Sequence, residues 1–220
     1  MRRSACALLL FATVGLVAGC GGSKPKPLGL EQRVVKEGEL AGYTCYPDAP
    51  KGIPRPPCAQ YDPSVVKDLG GAFINDPRGA QKRLGPYQRK IVQAVGESLE
   101  RAKGTGNATS LAVRFKSSAE AKAFLEKLFP ESFAPCPKKC QVVKTNFHVS
   151  GIHGADGAKL ALTVGPARDR FQSYRIEFAD GPFVYGLAAY APLGKLSEDT
   201  VVAAAKTLYK RVKGHPPPGS

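Results

Sequence analysis

The sequence lacks the motifs that mark the common catalytic mechanisms. It has three histidines in 220 residues, and no Gly-x-Ser-x-Gly pattern places a nucleophilic serine on a turn between strand and helix. Gly104-Thr105-Gly106-Asn107 is not followed by the Lys-Ser/Thr pair of a phosphate-binding loop. We therefore expect a protein that is not an enzyme and that holds no cofactor and no metal.

A long apolar run is missing after residue 20, because glycines, prolines or charges interrupt each later stretch before the roughly 20 residues that a membrane-spanning helix needs. The N-terminal apolar segment, Ala5 to Val17, is also too short, and it follows Arg2 and Arg3. It ends in Val17-Ala18-Gly19-Cys20, the pattern of a bacterial lipoprotein signal peptide. We predict cleavage before Cys20 and a diacylglycerol on its thiol, which anchors the protein on the extracytoplasmic face of the cell membrane. The alternative is an ordinary secretory signal.

Four cysteines remain after Cys6 leaves with the signal peptide and Cys20 is lipidated. An even number of cysteines in an exported protein indicates two disulfides, and four cysteines allow three connectivities. Short separations in the chain favour the pairs Cys45–Cys58 and Cys136–Cys140. The first pair would close a proline-rich loop and stabilise the fold by about 3 kcal/mol.

Two other readings of the later cysteines stay open. A zinc site would combine them with His148 and His153, but His148 falls on a predicted strand and export favours oxidised thiols. A thiol-redox site would use Cys136 and Cys140, which three residues separate instead of the two of thioredoxin-like motifs. We favour structural disulfides.

Positive charge dominates the composition, with 32 Lys and Arg against 18 Asp and Glu. The mature chain keeps about +12 once Arg2 and Arg3 are removed. Anionic lipid headgroups, acidic wall polymers or an envelope protein are the expected partners, whereas export separates the chain from nucleic acid. Between Arg78 and Lys103 basic residues outnumber acidic ones by five. The predicted contacts for an anionic partner are Lys82, Arg83, Arg89 and Lys90. The alternative is a solvated surface that only maintains solubility.

Patterning divides the chain into a signal peptide (1–19), a flexible tether (20–40), a single domain (41–213) and a disordered tail (214–220). Alternation of polar and apolar residues predicts strands over 111–116, 142–149, 158–164, 171–178 and 183–190. Asp156-Gly157 and Asp180-Gly181 are predicted hairpin turns, which indicate that the later strands form an antiparallel meander. Amphipathic helices are predicted from Pro86, from Ser117 and from Ser197. A strand over Lys90 to Val95 is the alternative to the first of these helices, because Gly96 disfavours a helix there. The expected fold is therefore α+β, with a meander of about four to six strands packed on one face by amphipathic helices.

Several segments resemble bacterial exported lipoproteins with a PsbP-like α+β module. They are residues 34–43, 69–74, 113–121 and 178–185. Ala41 stands where the first of these motifs expects proline. Such modules are generally non-catalytic, so the resemblance implies a binding or assembly role and gives no site residues. We expect a lipid-anchored envelope protein that binds a partner protein or an anionic envelope component; the alternatives are a thiol-redox protein and a small-ligand carrier with an apolar pocket.

Overall fold

The computed structural model describes residues 25–45, 59–60, 85–87, 89–131, 140–164 and 169–217. Eight strands in this part of the chain form one antiparallel sheet, flanked by two α-helices and a short 3-10 helix, Leu30–Gln32. The strands are β1 (Tyr43–Thr44), β2 (Ala59–Gln60), β3 (Ile91–Arg101), β4 (Asn107–Phe115), β5 (Cys140–His148), β6 (Asp156–Val164), β7 (Asp169–Asp180) and β8 (Phe183–Pro192). The helices are α1 (Ser118–Glu131) and α2 (Glu198–Val212).

The strand order is β1-β3-β4-β8-β7-β6-β5, and β2 also pairs with β3. The α+β class and the antiparallel sheet are confirmed. β7 and β8 are joined by a tight turn in which Gly181 takes a positive φ of 55°, as the predicted Asp-Gly turn requires. The sheet has more than the predicted four to six strands, because β1 to β4 extend the meander on the far side of β8.

The helix predicted from Pro86 is wrong over most of its length, because Ile91–Arg101 form strand β3 and pair with β4. The alternative, a strand over Lys90 to Val95, is confirmed from Ile91 onward. The helix prediction rested on Val95 and Leu99 at a helical spacing of four. Four is also an even number, so the same residues share one face of a strand. Both are fully buried there, and pairing with β4 decides the conformation.

The helices pack on opposite faces of the sheet, which corrects the expectation that they cover one face. Adjacent residues of β4 and β8 point to opposite sides. Ala112 and Tyr185 belong to the core that includes α2, whereas Val113 and Val184 pack with Phe124 of α1. We call these sides the α2 face and the α1 face. Both sides of the two central strands carry apolar residues and therefore both need cover.

Helix α2 forms as the sequence predicts. The Ser197 hydroxyl accepts a hydrogen bond from the Thr200 backbone N–H at 3.2 Å, so it caps the helix. The buried stripe consists of Val201, Ala204, Ala205, Leu208, Tyr209 and Val212. Neither α1 nor α2 has the length and hydropathy of a membrane-crossing helix, and the described part of the chain contains no other helix that does.

Residues 28–40, which we call the N-terminal strap, pack into the core, so the flexible tether predicted over 20–40 is wrong for this part. Val34, Val35 and Leu40 are fully buried. The Val35 N–H donates to the Ser110 hydroxyl at 2.8 Å, and Arg211 of α2 donates to two strap carbonyls. The folded domain therefore begins before residue 41.

The start of the predicted tail is also tied to the domain. Arg33 of the strap is fully buried and donates to the Tyr185 hydroxyl at 2.7 Å. Its other guanidinium nitrogen donates to the carbonyls of His215 and Pro216. The prediction of a disordered tail over 214–220 is therefore wrong for His215 and Pro216, and residues 218–220 lie outside the described part.

Candidate functional site

A groove of about 400 Å³ opens on the α1 face of the sheet. Its walls come from β4, β6, β7 and β8, which belong to distant parts of the sequence. The described residues that line it are Asn107, Thr109, Leu160, Leu162, Ser173, Arg175, Ala188, Ala189 and Tyr190. Its volume falls in the range of about 300–1,000 Å³ that is typical of small-molecule sites.

Strand register brings these side chains together. Asn107 pairs with Tyr190, which pairs with Ser173, which pairs with Leu160, so the four residues form one row across the sheet. Thr109, Ala188 and Arg175 form the next row. Directly paired residues of antiparallel strands point to the same face. The rows thus combine polar side chains from β4 and β7 with apolar side chains from β6.

The described core side chains of helix α1 pack on rows that lie beyond the groove. Phe124 packs on Val113 and Val184, and the Phe115 and Phe124 rings are 5.0 Å apart between centroids. These residues lie near the β7–β8 turn, whereas Asn107 and Tyr190 lie toward the other end of the sheet. The groove therefore occupies the half of the α1 face that is farther from this turn.

Arg175 gives the groove a cationic floor. It is 8 % exposed, and burial lowers its pKa to about 10, while nearby Glu177 acts in the opposite direction. Glu177 follows two residues later on the same face and is itself fully buried. A pKa near 10 leaves the guanidinium charged at neutral pH. Ser173 and Thr109 add hydroxyl groups beside it.

The groove offers binding groups and no acid–base apparatus among its described lining residues. Hydroxyl, amide and guanidinium groups come from β4, β7 and β8, and the apolar side chains of Leu160 and Leu162 come from β6. None of the nine lining residues is His, Cys, Asp or Glu. The arrangement can hold a molecule by hydrogen bonds and apolar contact, which is the composition typical of ligand pockets.

Of the predicted disulfide cysteines, Cys45 is the one whose side chain the structure describes. It is buried, takes part in a disulfide, and its sulfur lies 3.7 Å from a carboxylate oxygen of Glu97. Cys58 and Cys136 lie outside the described residues, and so does the side chain of Cys140 at the start of β5. Both predicted pairings stay predictions.

The residues named in the zinc alternative are only partly described. His148 and His153 are exposed. No group of three or more His, Cys, Asp or Glu side chains is close enough to hold a metal ion in the described ranges. The zinc and thiol-redox alternatives both depend on Cys136 and Cys140, whose side chains fall outside those ranges.

Two of the four predicted contacts for an anionic partner lie in the described part of the chain, and two lie outside it. Lys82, Arg83 and the lipidation residue Cys20 lie outside the described part. Arg89 and Lys90 are exposed in the turn before β3, and the Lys90 Nζ lies 3.8 Å from the Glu120 Oε1 of α1.

Sequence reasoning missed Arg175 and Glu97. The strand pattern correctly turned Arg175 away from the α2 face, but the other side of β7 is buried as well. Glu97 lies on the α2 face of β3, 3 % exposed, and burial raises its pKa to about 7. The signal available for Glu97 was its even spacing from Val95 and Leu99, which a helical interpretation hides.

No protein-family model matches the chain, and no curated protein matches it. A solved structure with a partly similar fold is the extracellular domain of PknH from Mycobacterium tuberculosis. It is 13 % identical in sequence, the match covers 70 % of this chain and 77 % of that chain, and the TM-score is 0.43. At this level of likeness no role is transferred, and the resemblance to PsbP-like lipoproteins stays a prediction.

Proposed function

We propose that this chain is a lipid-anchored, non-enzymatic protein of the cell envelope that binds a small amphipathic molecule in the groove of the α1 face. The observation that carries the proposal is the convergence of Arg175, Ser173 and Thr109 opposite Leu160 and Leu162 in a space of about 400 Å³. A concave site with an apolar wall and a few converging polar groups is the usual form of a ligand pocket.

The groove chemistry selects the ligand class. The Arg175 guanidinium has five N–H donors and lies near the buried Glu177 carboxylate, so a carboxylate or phosphate of the ligand would share this cation with Glu177. Ser173 lies two residues from Arg175 on the same face of β7 and adds a hydroxyl near the head group, whereas Thr109 lies two strands away and can bind another polar group of the ligand. Leu160 and Leu162 suit an alkyl or ring portion. The proposed ligand therefore carries one acidic head and a short apolar body.

The anchor in this proposal is the lipid on Cys20. Val17-Ala18-Gly19-Cys20 after a short apolar segment supports it, and two acyl chains hold a protein on a membrane far longer than one chain does. Cys20→Ala should release the protein from the membrane fraction. Intact-mass analysis that finds cleavage at another residue and no acyl chains would contradict the anchor.

A groove-filling variant tests the binding function. Ser173→Leu places an apolar side chain in the groove, and a leucine is well accommodated on a strand. Thr145→Leu is the matched control, because Thr145 is an exposed strand residue on the α2 face of β5, pairs with Lys159 and does not line the groove. The probe is a dansyl-labelled fatty acid, whose fluorescence reports binding to the purified mature protein.

We expect the probe to bind to the wild-type protein. Ser173→Leu should weaken the affinity of the protein for the probe by about tenfold or more, which is about 1.4 kcal/mol. Thr145→Leu should leave the affinity within about twofold, because Thr145 lies on the other face of the sheet and no groove contact changes. Native mass spectrometry of protein extracted from its own membranes should find a co-purified acidic small molecule that Ser173→Leu lacks. Equal binding by both variants would refute a site in the groove.

A further inference from the structure

One end of the sheet carries the β7–β8 turn and the start of the N-terminal strap; we call it the hairpin end. The Gly214 N–H donates to the Asp180 carboxylate at 2.9 Å, which fixes the C-terminus of α2 beside this turn. The ring nitrogen Nδ1 of His215 lies 2.8 Å from the Lys26 carbonyl oxygen. The first described residues of the chain therefore lie at the hairpin end, next to the last turn of α2.

The same end collects exposed cations from four parts of the sequence. The Phe115 N–H donates to the Pro182 carbonyl at 2.8 Å, which brings the end of β4 to the turn. The start of β3 lies beside it, because Ile91 pairs with Phe115. The exposed basic residues here are Lys26, Arg89, Lys90, Lys116 and Lys213, and we call them the basic end patch.

Acidic residues also lie at this end, where Glu31 of the strap and Asp156 at the start of β6 are exposed. Asp180 accepts the hydrogen bond from Gly214, and Glu120 lies 3.8 Å from Lys90. The opposite end of the sheet is mixed in charge. Its exposed Lys103, Arg170 and Lys195 alternate with exposed Glu100 and Asp199. Among the described residues, the hairpin end thus has five exposed cations and two exposed acidic residues, and the opposite end has three exposed cations and two exposed acidic residues. The excess of positive charge is therefore larger where the chain enters the domain.

The chain between the predicted anchor and the domain is short. Six residue steps separate Cys20 from Lys26, and a fully extended chain spans at most about 3.6 Å per residue. The hairpin end can therefore stand no more than roughly 20 Å from the lipid headgroups. At this distance the orientation of the domain relative to the membrane is strongly restricted.

We propose that the basic end patch docks on the anionic headgroups of the membrane that holds the lipid anchor, so that the domain stands with its hairpin end down. The inference rests on the lipid anchor of the proposed function. The screening length is about 10 Å at 0.1 M salt, so cations held near the headgroups by a short tether interact with them. Docking in this way turns the groove, which lies toward the opposite end of the sheet, away from the membrane.

The test uses the mature lipid-anchored protein, purified from its own membranes and reconstituted into phosphatidylcholine vesicles with or without phosphatidylglycerol. Acetylation of each lysine is measured by mass spectrometry. Lys116 and Lys213 should react about fivefold more slowly on the anionic vesicles, and high salt should abolish the difference. Lys103 and Lys195 at the opposite end should change by less than about twofold, since the anionic surface is more than a screening length away.

Two triple variants with the same net charge separate a specific surface from overall charge. Arg89→Gln, Lys90→Gln and Lys213→Gln together should remove the protection of Lys116 on anionic vesicles. Lys103→Gln, Arg170→Gln and Lys195→Gln together should preserve it. Equal losses in the two variants, or no protection at any lysine, would overturn the docking proposal.

Two further outcomes would also count against docking. Protection of Lys116 and Lys213 by a soluble acidic polymer on neutral vesicles, without any effect of phosphatidylglycerol, would identify a polymer as the partner and overturn the membrane proposal. An unacylated Cys20 in the intact mass would remove the anchor and contradict the proposed function instead. In that case co-sedimentation of the two triple variants with anionic vesicles still decides whether the patch binds headgroups.

Discussion

Replacing Arg33 by methionine should release the N-terminal strap and destabilise the whole domain. Methionine keeps much of the side-chain volume, so the change removes mainly polar contacts. Arg33 donates to the Tyr185 hydroxyl and to the carbonyls of His215 and Pro216, and its guanidinium carbon lies 4.0 Å from the centre of the Phe183 ring.

The expected loss of stability depends on which of these contacts water can replace. The bond to Tyr185 is buried, and a charged hydrogen bond of this kind contributes roughly 1.5–3 kcal/mol. The cation–π contact with Phe183 adds up to about 2 kcal/mol where it is desolvated. The carbonyls of residues 215 and 216 are half-buried and regain water, and removal of a buried charge offsets part of the loss. We expect Arg33→Met to lower the free energy of unfolding by about 3 kcal/mol.

Urea denaturation with the disulfides intact measures this loss. Tyr185→Phe alone should lower the free energy of unfolding by about 1–2 kcal/mol, and the double variant should lose about 1 kcal/mol less than the sum of the two, because both changes remove one bond. Arg89→Met is the control, since an exposed arginine should matter by no more than about 0.5 kcal/mol. A loss below about 1 kcal/mol for Arg33→Met, or strict additivity, would refute the argument that the strap is part of the folded core.

Glu97 should make stability depend on pH, because burial raises its pKa from the ordinary 4.5 to about 7. The folded state then binds the proton of Glu97 more tightly than the unfolded state does. Its contribution to the free energy of unfolding is therefore fully present below about pH 4.5 and is lost as the pH rises to about 7. Urea denaturation should show this decline in the wild type and not in Glu97→Gln. Thr44 pairs with Glu100 and Ala59 pairs with Glu97, so the residues next to Cys45 and Cys58 lie along the same edge of β3. This favours the Cys45–Cys58 disulfide, and non-reducing peptide mapping that joins Cys45 to Cys136 would contradict it.

The sequence correctly predicts the strands and helices that depend on residues close together in the chain. The strands β5 to β8 come from alternation within each segment, the Asp180-Gly181 turn joins β7 to β8, and Ser197 identifies the start of α2 from a single hydroxyl. These features depend on neighbours in the chain, so a pattern in the chain can predict them. The turn predicted at Asp156-Gly157 is wrong, because both residues lie in β6 and pair with β5.

The strap and β3 depend on partners that are distant in the sequence. Val34 and Val35 are buried because Ser110 and Arg211 satisfy the backbone there, more than 70 residues away along the chain. The groove has the same origin, since Asn107, Leu160 and Ser173 are ordinary strand residues until register places them in one row. No local pattern in the sequence contains that information.

The most direct test of the proposed function is an experimental structure of the mature protein purified from its own membranes. We expect density for a non-protein molecule in the groove, with an acidic head at the Arg175 guanidinium and an apolar part along Leu160. A groove occupied by ordered water alone, or by other residues of this chain, would contradict the proposed function.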